Sequence, residues 1–186
     1  MSAVNTTITQ EQVVLVDAHG TPIGTMDKAH VHTTNTPLHL AFSCYAFDPD
    51  GRILLTRRSL DKRTWPGVWT NTCCGHPAPG EDLEDALRRR LRHELGVEIE
   101  SLRLVLPEFR YRAVAPDGIV ENEVCPVYFA QLRSDPRPAP DEVMEWRWIS
   151  TSDFLSAAEA VPFVLSPWSV LQARALVDID ELGYPS

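Results

Sequence analysis

Short β-branched and aromatic runs separated by turn signals make up most of this chain, and helical spacing is confined to a few stretches. Val13-Val14-Leu15-Val16-Asp17, closed by a turn at His19-Gly20, predicts a strand. Residues 28–38 read as a threonine- and asparagine-rich loop leading to His39. The runs 40–47 and 52–57 flank Pro49-Asp50-Gly51, which predicts an antiparallel hairpin. The clearest helix runs from Asp82 to Leu95. Leu83, Ala86, Leu87, Leu91 and Leu95 recur at three- and four-residue spacing, and Gly96 stands where a helix-ending glycine belongs. Acidic residues open that helix and arginines follow, which suits its dipole. Strands are predicted over 99–106, 109–113, 124–132 and 146–149, and helices over 152–160 and from Pro167 to about Leu182. The pattern is α+β: a sandwich of sheet with one central and two late helices. It is expected as a single domain over residues 13–182, after a flexible N-terminal arm over residues 1–12.

Composition narrows the class. A chain of 186 residues with 44% hydrophobic and 23% charged residues is an ordinary globular protein. At that length it buries roughly 70% of its unfolded surface. A net charge of -9 argues against nucleic-acid binding, which rests on a basic face. No run of about 18 apolar residues and no leader pattern is present, so neither membrane nor export is expected. The four cysteines are too sparse for a disulfide scaffold and read as reduced thiols in a cytoplasmic compartment.

The reactive chemistry gathers in Trp65 to Pro77, where Gly75 and Pro77 set a turn around His76. Glu121 and Glu123 lie two apart, so a strand presents both on one face. From Gly75 onward, the spacing of Glu81, Arg89, Glu94, Gly96 and Val97 resembles the Nudix box, whose helical glutamates hold Mg²⁺ for pyrophosphate hydrolysis. The positions that should carry carboxylates on one helix face read Arg90, His93 and Glu94. Mg²⁺ wants oxygen ligands, so hydrolysis is not expected here.

Several motifs together resemble type 1 isopentenyl-diphosphate isomerase. These are residues 70–77, the run Glu121 to Pro126, Phe109 to Arg112, Thr56-Arg57-Arg58, Ser166-Pro167-Trp168 and the spacing His32…His39-Leu40-Ala41-Phe42. The resemblance spans about Val13 to Ala173 and implies a Nudix-like α/β/α sandwich with a mixed sheet. It implies Cys74 and Glu123 as an acid–base pair across an alkene, with Trp168 facing the carbocation and Tyr111 hydrogen-bonded to Glu123. Cys73 is expected to be packing, although the doubled cysteine leaves the choice one residue ambiguous. His32, His39, His76, Glu121 and Glu123 would hold one divalent metal, Mn²⁺, Zn²⁺ or Mg²⁺. Their imidazole and carboxylate donors suit transition metals better than Ca²⁺. Glu94 would help hold a Mg²⁺ that arrives with the substrate diphosphate, and Lys28, Arg58, Lys62 and Arg90 would neutralise that diphosphate. The expected partner is this small molecule, with no nucleic acid and no membrane, for a monomer or weak dimer. Two other readings, a diphosphate hydrolase and a structural zinc domain, fit less well. Arg90 and His93 oppose the first, and adjacent Cys73 and Cys74 oppose the second, because structural zinc sites space their cysteines.

Overall fold

The computed structural model of the protein describes residues 11–178. Strand β1 (Gln12–Val16) pairs antiparallel with β2 (Pro22–Asp27), and the short helix α1 (Lys28–Val31) follows, its N-cap Asp27 accepting from the Ala29 amide. α1 takes the first residues of the loop expected over 28–38, and β2 was not expected at all. β2 is an exposed edge strand with no buried face, so it lacks the alternation that marks a strand. Gln12 already belongs to β1, and the Glu11 carbonyl accepts from the Lys28 amide, so structure begins ahead of the expected boundary. The rest of the expected arm, and the end of the last helix near Leu182, lie outside the described residues.

The run expected as one strand from Leu40 to Phe47 is two, β3 (His39–Leu40) and β4 (Phe42–Phe47). After β4 come β5 (Ile53–Arg58), β6 (Trp69–Thr70), β7 (Cys73–Gly75), α2 (Leu83–Leu95), β8 (Ile99–Leu106) and β9 (Arg110–Val114). The run expected from Val124 to Leu132 is also two, β10 (Val120–Val124) and β11 (Val127–Leu132), divided at Cys125-Pro126. Then follow β12 (Val143–Ile149), α3 (Thr151–Ala160) and α4 (Pro167–Asp178).

One sheet runs β2-β1-β3-β10-β9, and the other β12-β5-β4-β11-β8, with β6 on β5 and β7 on β4. The parallel pairs β3·β10 and β4·β11 cross between the sheets side by side. The Ala41 amide donating to Val124 O and the Ser43 amide donating to Pro126 O tie the two strands together at the crossing. The hairpin of β4 and β5 keeps one registered pair, Phe47 with Ile53, before the strands part to admit β6 and β7. That insertion carries the Cys-Cys-Gly-His turn to the sheet crossing.

Every residue of β4 is buried because both faces are covered. Phe42, Cys44 and Ala46 pack with Leu87, Leu91 and Leu95 of α2, whereas Tyr45 and Phe47 pack with Phe154 of α3 and Ala173 and Leu176 of α4. The result is the expected α/β/α sandwich. Helix α2 stops as its sequence predicts, with Gly96 left-handed at φ 62°, whereas Asp82, expected as its first residue, is its N-cap. Gly75 is needed for close approach: a Cβ there would lie 2.8 Å from Phe42 Cζ and 2.9 Å from Arg90 Cγ. Gly75→Ala should therefore cost about 1–3 kcal/mol of stability, read as a lower urea midpoint with an unchanged m-value.

Candidate active site

The crossing strands bring four expected ligands together. Glu123 on β10 is registered with His39 on β3, His76 follows β7, and His32 caps the end of α1. One donor atom from each of His32, His39, His76 and Glu123 lies within 4.8 Å of the others. His39 Nδ1 donates to Pro37 O at 2.9 Å, which leaves its Nε2 as a lone pair facing His76 Nε2 at 3.2 Å and Glu123 Oε1 at 3.5 Å. His76 Nε2 also lies 3.1 Å from Glu123 Oε1. Glu121 stands at the edge of this group. Thr64 Oγ1 donates to its Oε1 at 2.7 Å, and its Oε2 is 2.9 Å from His32 Nε2 without hydrogen-bond alignment. His32 Nε2, Glu121 Oε2 and His76 Nδ1 are consequently buried without a hydrogen-bond partner. Convergent lone pairs and unpartnered nitrogen and oxygen donors suit a divalent cation. Burial opposes ionisation of Glu123, but bonds to His39 and His76 hold its carboxyl well below the usual carboxylate range. Burial lowers His76, whereas at His39 the Glu123 carboxylate outweighs burial and raises it. His19, His30 and His93 lie outside the group.

Beside the group opens a cleft of about 800 Å³. Of the catalytic, metal-ligand and diphosphate-binding residues expected from the sequence, all but His39 and Glu94 line it. The doubled cysteine is resolved by strand alternation: Cys73 packs into the core against α2, and Cys74 faces the cleft. Burial pushes the Cys74 thiol up to about 12, against the pull of the Ser43 hydroxyl. Trp168 lies against Tyr111 with ring centres 5.7 Å apart, and Trp65 meets it edge-on at 5.4 Å. Tyr111 is the cross-strand neighbour of Glu123, but the expected hydrogen bond to that carboxylate is not made. Burial, and then the Glu123 and Glu121 charges, raise the phenol instead.

The cations are more committed to the protein than the sequence implied. Arg58 donates to the carbonyls of Thr64 and Trp65, and its guanidinium sits 5.4 Å from the Trp168 ring centre. Arg90 donates from Nε to Glu94 Oε1 at 2.9 Å and from Nη2 to Glu142 Oε1 at 3.3 Å. Lys62 pairs with Glu142, and Lys28 with Glu11. Glu94 opens onto a narrower pocket with Glu142, and Lys62, Arg58 and Cys74 border both pockets. Arg89 braces Glu81 and the His76 carbonyl. Glu142, Asn71 and Ser43 were not singled out in the sequence. Glu142 sits in a loop far along the chain, where only the fold reveals its two cationic partners.

The NUDIX domain model matches residues 37–168. Isopentenyl-diphosphate Delta-isomerase of Paenarthrobacter aurescens (strain TC1) is 56% identical over 172 residues, 92% of this chain and 94% of that protein. The protein of the same description from Leifsonia xyli subsp. xyli is 57% identical over 169 residues, 90% of this chain and 91% of its own length. The chain belongs to the isopentenyl-diphosphate Delta-isomerases of the NUDIX family. Among solved structures, a Deinococcus radiodurans protein matches with a TM-score of 0.69 at 20% identity, covering 89% of this chain and 98% of that one. The MutT protein of Methanosarcina mazei Go1 matches with a TM-score of 0.61 at 18% identity, covering 78% of this chain and 96% of its own. Both likenesses are of fold. Arg90, at a position where a Nudix-box carboxylate was expected, pairs with Glu94. Among the described residues no helix is long and apolar enough to cross a membrane.

Proposed function

We propose that the protein interconverts isopentenyl and dimethylallyl diphosphate by moving a proton onto one carbon of the alkene and off another. The observation that carries this reading is the placement of the Cys74 thiol and the Glu123 carboxylate at one cleft, beside the His32 and His76 imidazoles. Cys74 gives its proton to the terminal alkene carbon, and the π electrons form the new C–H bond. A tertiary carbocation results. Glu123 takes a proton from the neighbouring carbon, whose C–H electrons close the new double bond. The reverse reaction exchanges these roles. Trp168 presents an aromatic face to the cation, a contact worth roughly 2 kcal/mol when desolvated. The buried aromatic wall of Trp168, Tyr111 and Trp65 keeps out the water that would quench the cation.

His32, His39, His76 and Glu123, with Glu121 as a fifth donor, would hold Mn²⁺, Zn²⁺ or Mg²⁺. When bound, the ion supplies positive charge that keeps Glu123 ionised and fixed. Lys28, Arg58, Lys62 and Arg90 border the cleft as an anion-binding set for the diphosphate. Glu94, which also pairs with Arg90, would help hold a Mg²⁺ that accompanies the diphosphate.

The test is incubation with isopentenyl diphosphate and Mg²⁺ in deuterated water, following product and free phosphate together. Dimethylallyl diphosphate carrying deuterium, without phosphate release, is the expected result. Phosphate release without isomerisation would overturn the reading in favour of hydrolysis.

A further inference from the structure

Behind the cleft wall lies a buried layer of polar side chains centred on Asn71, which is fully buried between β6 and β7. Its Nδ2 donates to two main-chain carbonyls, Cys44 O at 3.0 Å and Cys73 O at 2.9 Å. Only the amide nitrogen can satisfy two carbonyls, so Oδ1 must face the other way. There Oδ1 accepts from Trp168 Nε1 at 3.0 Å, Thr70 Oγ1 at 2.8 Å and Cys74 Sγ at 3.2 Å, with Ser169 Oγ at 3.4 Å. The indole nitrogen is a donor only, which fixes the same amide orientation independently. The sulfur is held on a second side by Ser43 Oγ at 3.2 Å. That hydroxyl accepts from Gln172 Nε2 at 2.8 Å, and Gln172 Oε1 accepts from Tyr45 OH at 3.0 Å.

We propose that Asn71 is the positioning residue of this site, its one carbonyl oxygen setting the Cys74 sulfur and the Trp168 ring in fixed relation. The proposal rests on the isomerase reading and goes beyond it. A carbon protonated from the sulfur must already lie against the ring face, so the two groups have to be placed together rather than separately. One acceptor shared by both does this. It is anchored through Nδ2 to the strand that carries Cys74 and to β4 beside it, so it cannot drift with either side chain. An aspartate would turn both donors into acceptors facing carbonyls, and a leucine would leave the indole N–H and both carbonyls unpaired.

The experiment compares Asn71→Ala and Asn71→Ser with wild type on isopentenyl diphosphate. It also records bound Mn²⁺ per chain and the indole ¹H–¹⁵N signal of Trp168, assigned with Trp168→Phe. In a folded variant kcat should fall about 100-fold, the scale of a misplacement near 1 Å, while KM changes by less than about threefold. The Trp168 signal should move, and the Mn²⁺ content should match wild type. An unchanged kcat, a rise in KM with kcat intact, or an unmoved Trp168 signal would each overturn the proposal. Asn71→Ser, whose hydroxyl can still meet one strand carbonyl, is the second route to a folded variant. Failure of both to fold would reduce Asn71 to a strand brace and overturn it too. Wild-type protein with no isomerisation would instead remove the isomerase reading, an outcome separate from all of these.

Discussion

Cys74→Ala should lose isomerisation by about 10⁴-fold, the upper range for removing a general acid, while substrate binding persists. The thiol sits where strand β7 turns into the cleft and keeps its proton because burial pushes it up to about 12. No other thiol is placed to replace it. Cys125 is fully buried behind Ser43, and Cys44 lies in the core on α2's side of the sheet. Cys73→Ala provides the contrast, because that side chain packs among Leu87, Leu91 and Leu95. It should keep most of the rate and lose roughly 1 kcal/mol of stability from the smaller core side chain. Steady-state rates and urea unfolding of the two variants measure both effects. A Cys73→Ala enzyme that is inactive beside an active Cys74→Ala enzyme would move the proton donor by one residue.

That one-residue question marks where the sequence stops being legible. Two adjacent cysteines in an extended run must face opposite ways, but which one faces the cleft depends on which face of β7 meets α2. Only the tertiary structure supplies that. Similarly, Glu121 and Glu123 were readable as a same-face pair, yet the strand that carries them begins at Val120, ahead of the expected Val124. The boundary was misplaced because Glu121, Asn122 and Glu123 break the apolar pattern, so only the stretch from Val124 onward showed as a run, and Pro126 divides that stretch as the chain changes sheets. The central helix was legible to within a residue, since its apolar spacing and Gly96 stop agree. Strand β2 was not, because an edge strand facing water needs no apolar alternation. Asn71 shows a different kind of blindness. A neutral amide has no periodicity and no charge, and its importance lies entirely in which six groups the fold turns toward it. The basic residues were legible as a set and misleading as individuals. Arg58 and Arg90 each serve the protein's own carbonyls and carboxylates as well as the cleft they border.

His39→Ala gives the cleanest access to the metal reading, since His39 is fully buried and does not line the cleft. Whatever activity this substitution removes is therefore transmitted through the ligand group and not through lost contact with substrate. Its Nε2 is one of the atoms that converge within 4.8 Å, and its Nδ1 bond to Pro37 O locks the ring in that orientation. Metal affinity should fall by at least roughly 100-fold, since removing even an outer partner of a metal ligand costs 10–100-fold. Activity at limiting metal should fall with it and recover in part when Mn²⁺ is raised. A second readout does not depend on turnover. An ion that binds only the folded state at 100 times its dissociation constant adds about 2.7 kcal/mol of stability. Wild-type protein should therefore lose several degrees of melting temperature on treatment with a chelator and regain them with added Mn²⁺. His39→Ala should show a much smaller response to both. Equal chelator sensitivity in the two proteins would remove His39 from the ligand group. A wild-type protein that ignores the chelator and retains full activity would mean that His39, His76 and Glu123 hold each other without an ion.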